Sequence, residues 1–352
     1  MINERFWTGR RVLITGHTGF KGSWLTLWLN KLGAKITGIA LPPPTVPNLF
    51  DEVHIYDEIK SHICDIRHMK ELFPSVSQAE PEVVFHLAAQ SLVRASYRDP
   101  LTTFETNIMG IANLLESLRK IKSVRVAIVV TTDKVYRNNE WPYPYRENDP
   151  LGGFDPYSAS KAASEIVIES YRLSFLASQG VALASARAGN VIGGGDWAED
   201  RLIPDAIRAW QSNQPLKVRN PEAIRPWQHV LEPLAGYILL AQKLWDKPEL
   251  AGPYNFGPAT EEAAKVREVV EIARRSYEKA EVTYGEEADT SAHEAGWLAL
   301  ETAKSRIVLG LRQRWRLPEA IERTMHWYKA YYDGKDARSL CLSDIESYEE
   351  SF

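Results

Sequence analysis

The chain has 352 residues, enough for a large core and long enough that two lobes are expected. Hydrophobic residues make up 44% and charged residues 25%, the balance of a soluble globular protein. The formal net charge of −4, without a basic run, excludes nucleic acid as the main partner, and no apolar stretch approaches a membrane span.

The only two cysteines, Cys64 and Cys341, lie far apart and form neither a disulfide framework nor a metal motif. A reduced, cytoplasmic setting without a bound metal is the expectation. The N-terminal residues do not read as a signal peptide, because a strand begins soon after them.

In chain order, residues 11–15 read as a strand, 23–32 as an amphipathic helix and 35–41 as a second strand. Residues 41–48 carry four prolines and read as a rigid loop. A strand is predicted over 82–86, a long helix over 100–120 and a strand over 124–131. A helix over 157–178 and a strand over 181–186 follow. Strands alternating with helices imply an α/β, doubly wound parallel sheet, which binds ligands at the carboxyl ends of its strands. After about residue 189 the texture changes to short segments broken by prolines. Helical patterns return over 232–243, 265–280 and 318–332, and the acidic tail after Lys335 is expected to be loosely held. The division expected is a dinucleotide-binding domain over 1–188, to which 228–250 returns, and a smaller substrate-binding lobe over 189–352.

Gly16-His17-Thr18-Gly19-Phe20-Lys21-Gly22 follows the first strand and opens the first helix. Glycine is needed where backbone turns tightly and approaches a pyrophosphate, and a helix N-terminus presents free amides to the anion. This is a Rossmann dinucleotide cradle, with Lys21 and His17 as further phosphate contacts. The acid that usually binds the adenosine ribose is absent after the second strand, where Gly38-Ile39-Ala40-Leu41-Pro42 stands. Asp65, beside Ile66, can accept from an adenine amino group or cap a helix. Leu87, Ala88 and Ala89 include two residues small enough to let a dinucleotide pass closely.

Tyr157 and Lys161 stand four apart, on one helical face. A lysine ammonium beside a phenol favours phenolate, which can take an alcohol proton as hydride leaves. Thr132 can donate to the same hydroxyl, and Asp133-Lys134 add an acid–base pair of opposite sign at the strand end. Such a pair can move protons next to a ketone.

Gly16-x-x-Gly19-x-x-Gly22, Asp65-Ile66, Leu87-Ala88-Ala89, Thr132-Asp133 and Tyr157-x-x-x-Lys161, in this order, resemble the extended short-chain dehydrogenase/reductase superfamily over about residues 10–332. Three stretches, residues 15–25, 132–136 and 187–197, are most similar to the CDP-glucose 4,6-dehydratases. The resemblance implies NAD as cofactor and CDP-glucose as substrate, converted to a 4-keto-6-deoxy sugar. In that scheme Tyr157 serves oxidation at carbon 4 and Lys161 holds the cofactor ribose. Asp133 protonates the hydroxyl leaving carbon 6. Lys134 stands where relatives place a glutamate, and its role stays open between neutral base at carbon 5 and cation beside an enolate. Ser91, Asn190, Arg201 and Arg225 are the implied substrate contacts, and a homodimer, or a dimer of dimers, through helices 100–120 and 157–178 is implied as well. The alternatives are another nucleotide-sugar dehydratase or a 4-epimerase of the same superfamily and, more remotely, a non-catalytic dinucleotide-binding protein.

Overall fold

The computed structural model describes residues 2–277, 280–285 and 296–351. Its centre is one sheet of seven strands: β1 Arg11–Thr15, β2 Lys35–Ala40, β3 Lys60–Ile63, β4 Val83–His86, β5 Val126–Val130, β6 Ala182–Ala188 and β7 Pro253–Phe256. The order is β7-β6-β5-β4-β1-β2-β3, with every pairing parallel. The chain runs outward from β1 to β3, then crosses back to β4 on the other side of β1. That reversal opens a crevice at the carboxyl ends of β1 and β4.

A parallel sheet is covered on both faces, so its strands read as unbroken apolar runs. β5, Val-Ala-Ile-Val-Val, is buried at all its positions. In β1 the alternation is still visible: Val12 and Ile14 enter one core, and Leu13 enters the core on the opposite face.

Several helices differ from their sequence-based bounds. The first spans Phe20–Lys31, not 23–32, so Phe20, Lys21 and Gly22 form its first turn. The second long helix runs Pro100–Phe104, then a π-turn over Glu105–Met109, then Gly110–Leu118. Pro156–Tyr171 is likewise continued by a π-turn, Arg172–Leu176. Asp155 caps its start by accepting from the Ser158 amide at 2.9 Å, with Pro156 in the first turn.

The second half supplies the rest of the fold. Helix Leu231–Asp246 is largely buried, and its Tyr237 packs edge-on to Phe256 of β7 at 5.3 Å. β7 itself was not foreseen. Pro253 opens this edge strand at the first position, where a missing N–H is tolerated. Helices Leu202–Gln211, Val266–Ser276 and Leu317–Tyr332 lie with short strand pairs in the remaining part. The expected loose tail is instead helix Ala337–Glu350, which buries Ala337, Cys341, Ile345 and Tyr348. Its Glu349 accepts from Trp28 at 2.8 Å and pairs with Lys31 at 2.7 Å, fixing the tail to the first helix. Among the described residues no helix is long and apolar enough to cross a membrane.

Candidate active site

A cleft of about 2070 Å³ lies over the carboxyl ends of β1, β4 and β5. A drug-sized ligand usually fills no more than ~1,000 Å³, so two sizeable molecules fit side by side.

One end is the glycine loop. Gly16 has a φ of +76°, and a Cβ there would lie 2.6 Å from the Ala88 amide nitrogen. A Cβ on Gly22 would collide with the carbonyl oxygen of Gly16. Both positions therefore require glycine. Gly19 precedes the first helix without offering a side-chain cap, which leaves the first-turn amides to whatever enters the cleft. The cradle fits a pyrophosphate. Gly16, Gly19, Phe20, Lys21, Gly22, Asp65, Ile66, Leu87, Ala88 and Ala89 all line the cleft.

His17 does not. Its ring is fully buried beneath Gly38, 2.8 Å from the Ser61 hydroxyl, and burial lowers its pKa to about 4. The expected phosphate contact from this side chain is therefore withdrawn: the bare Cα of Gly38 draws the ring under β2 instead. Asp65 closes a turn, accepting from the Arg67 amide at 2.9 Å and its guanidinium at 2.6 Å. The following helix, Met69–Ala79, has His68 at its N-cap, so Asp65 is no helix cap. No carboxylate follows β2; Pro42, Pro44, Thr45 and Val46 line the cleft there.

The centre holds the catalytic candidates. Thr132, Asp133, Lys134, Tyr157 and Lys161 all line the same cleft. The Thr132 hydroxyl donates to Asp133 Oδ1 at 3.0 Å and lies close enough to the Tyr157 phenol to act on its ionisation. Asp133 is buried, and its Oδ2 makes no hydrogen bond among the described residues. A buried carboxylate oxygen left without a donor is costly and rare.

Burial pushes Tyr157 up to about 12, with Thr132 and Arg201 pulling it down and Asp133 and Asp155 adding to the rise. This reverses the depressed phenol expected from the Tyr-Lys spacing. Lys161 instead lies 3.5 Å from the Val130 carbonyl, its pKa lowered by burial to about 8 against the raising influence of Glu165. Lys21 turns its amine inward, 3.3 Å from the Tyr237 hydroxyl. Burial, Arg201 and Lys161 lower it to about 7, against Asp133.

The far end is cationic. Arg201 is paired with Asp196 at 2.8 Å and donates to the Ser91 hydroxyl at 3.2 Å. Arg225 is buried on a short strand, and Asn190 Oδ1 is buried without a hydrogen bond among the described residues. Ser91, Asn190, Arg201 and Arg225 all line this end. Sequence reasoning missed Lys217, Arg219 and Arg94, which line it too. The signal was there: Lys217 and Arg219 alternate along one extended segment just before Arg225.

Sheet order, glycine loop and the Tyr157/Lys161 helix define the class: the extended short-chain dehydrogenases/reductases. Within it, the chain belongs to the GDP-mannose 4,6-dehydratase family, whose model matches residues 13–331. It is 46% identical to the CDP-glucose 4,6-dehydratase of Salmonella typhimurium, over 99% of this chain and 98% of that one. A UDP-glucose 4-epimerase from Halalkalibacterium halodurans is 24% identical over 92% of this chain and 97% of its own. The fold also matches the dTDP-glucose 4,6-dehydratase of Bacillus anthracis, solved with NAD, at a TM-score of 0.76 and 20% identity, covering 92% of this chain and 98% of that chain.

Proposed function

We propose that the protein is an NAD-dependent lyase that dehydrates CDP-D-glucose to CDP-4-keto-6-deoxy-D-glucose. The observation that carries this reading is Asp133. Its buried Oδ2 makes no hydrogen bond among the described residues, and its carboxylate, held by Thr132 through Oδ1, shares with Tyr157 a cleft that also contains a pyrophosphate cradle. Plain oxidation or epimerisation at carbon 4 needs only the hydroxyl and phenol. The added Asp133-Lys134 pair is the equipment for losing water. The near-full-length similarity to a CDP-glucose 4,6-dehydratase supports the same choice of substrate.

The glycine loop and first-turn amides would hold the pyrophosphate of NAD, Lys161 its ribose, and Leu87-Ala88-Ala89 would let it pass. When bound, NAD would supply a reversible hydride store, filled from carbon 4 and emptied onto carbon 6 once water has left, so that the cofactor ends unchanged. Thr132 orients the carbon 4 hydroxyl by hydrogen bonding, and Tyr157 takes its proton. The resulting ketone acidifies carbon 5. Lys134 lines the same cleft and would either accept that proton as an amine or hold the enolate as an ammonium. Asp133 delivers a proton to the hydroxyl leaving carbon 6, and a proton goes back to carbon 5 as the hydride returns to carbon 6. Arg201 and Arg225 hold the diphosphate, and Ser91 and Asn190 hydrogen-bond the substrate.

Residues 1–188 with 228–250 form the cofactor domain in this reading, and 189–352 the nucleotide-sugar lobe. Pairing into a homodimer across helices Pro100–Phe104/Gly110–Leu118 and Pro156–Tyr171 is supported by exposed Leu101, Met109, Ile166 and Leu173. A cytoplasmic role in deoxysugar supply, of the kind that feeds O-antigen, fits two free, buried cysteines.

The test is incubation with CDP-glucose and NAD, followed by mass and NMR analysis of the product. Loss of water with a ketone at carbon 4 is the expected result. A product that keeps its carbon 6 oxygen refutes the dehydratase reading, and preference for another nucleotide refutes the base.

A further inference from the structure

Behind the catalytic turn lies a buried polar cluster that the chemistry above does not use. Glu165 sits one helical turn beyond Lys161 and is buried, as is Arg187 on β6. The two pair at 2.8 Å. Glu165 Oε1 accepts from the Thr131 hydroxyl at 2.6 Å, and Oε2 from the Ser185 hydroxyl at 2.7 Å. Arg187 Nη1 donates to the Tyr136 hydroxyl at 2.9 Å and to the Glu147 carbonyl at 2.8 Å. Tyr136 in turn donates to Asn255 of β7 at 2.6 Å.

Thr131 and Tyr136 bracket the segment that carries Thr132, Asp133 and Lys134. One ion pair thus grips the acid–base turn at both ends, Glu165 at its start and Arg187 at its finish. Stability alone does not account for the pair. Burying two charges costs about as much as their attraction returns, and Arg187 Nε is left without a hydrogen bond among the described residues. The same carboxylate is also the charged group that raises Lys161, so one residue touches both halves of the machinery.

We propose that the Glu165–Arg187 pair is a positioning device that sets Asp133 and Lys134 against the ring held by Tyr157. Neither residue is catalytic; both act through the turn. The proposal rests on the dehydratase reading.

Removing either charge strands the other in the core and endangers the fold. Thr131→Val and Tyr136→Phe each delete one grip while keeping shape and the ion pair. The assay is single-turnover reaction of the holoenzyme with CDP-glucose, following NADH absorbance for oxidation and 4-keto-6-deoxy product for elimination. In both variants, oxidation should stay within about twofold while elimination slows roughly tenfold or more, so that NADH accumulates. Unchanged elimination, or equal losses in both steps alongside a lower melting temperature, overturns the proposal. A wild type that neither oxidises nor dehydrates CDP-glucose sinks the functional reading instead. The crystal structure of Thr131→Val then decides the positioning claim by itself: a displaced Asp133 side chain supports it, and an unmoved one overturns it.

Discussion

Replacing Tyr157 by Phe removes a phenol that burial holds near pKa 12. To serve as a base near pH 7 it must come down by about five units, or roughly 7 kcal/mol. A cation at about 4 Å contributes on the order of 4 kcal/mol at an effective dielectric of about 20, so two cations suffice and one does not. Arg201 already acts on the phenol at about 12, so the further pair would be the positively charged nicotinamide ring of NAD and a protonated Lys161 turned from the Val130 carbonyl toward the phenol. Lys161 keeps its charge only below about pH 8, so the acid–base couple should fail above that pH. Three outcomes follow. The ultraviolet difference titration between wild type and Tyr157→Phe should show no phenolate at neutral pH without NAD. Saturating NAD should bring a phenolate into view, and Lys161→Met should abolish that shift. The kcat/KM profile should fall with an alkaline limb near pH 8. A phenol already ionised near neutrality in the free enzyme refutes the reasoning.

Gly22→Ala forces a methyl onto the Gly16 carbonyl, so the loop must move at a cost of about 1–3 kcal/mol. NAD affinity measured by calorimetry should fall at least roughly tenfold while the circular dichroism spectrum holds. Lys21 is charged only below about pH 7 in the free protein. NAD affinity should therefore decline as pH rises through that value, and Lys21→Met should bind more weakly with no such decline; a flat wild-type profile removes the phosphate role. Glu232 is buried, accepting from the Arg314 and Trp315 amides and Tyr348, and burial raises it to about 7. A raised carboxylate contributes stability that is complete below its unfolded pKa of about 4.3 and lost as pH rises through about 7, at most ~4 kcal/mol. Glu232→Gln cannot titrate, so the stability difference from wild type should change across that window in denaturant melts; a constant difference is the contrary result. Ile166→Glu with Leu173→Glu should give a monomer in sedimentation if the two helices pair subunits.

The parts legible in the sequence were those fixed by neighbours along the chain. Glycine spacing, the apolar run of β5 and the four-residue step from Tyr157 to Lys161 each carry their own geometry. What was missed depends on distant chain. The His17 ring direction is set by Gly38 on the next strand, not by the loop that contains it. β7 is short, opens with proline and becomes a strand only by pairing with β6. The final helix hides its apolar stripe, Ala337, Cys341, Ile345 and Tyr348, among acids, although that spacing is helical. Glu165 was visible one turn beyond Lys161, but its partner Arg187 meets it only through the sheet.

The phenol shift has the same origin as the other perturbed groups in the cleft. Burial drives Tyr157 up, and Lys161 and Lys21 down, each toward its neutral form. A dry site disfavours charge, but the low dielectric that imposes this cost also magnifies any charge that is brought in. A diphosphate arriving at Arg201 and Arg225 would relieve the crowding of cations that lowers Lys21. A cationic ring arriving beside Tyr157 would act on the phenol far more strongly than it could in water. The resting site is thus poised with its base protonated, and ligand charge is what activates it. Coupling ionisation to occupancy in this way keeps the phenolate from forming until the hydride acceptor is in place.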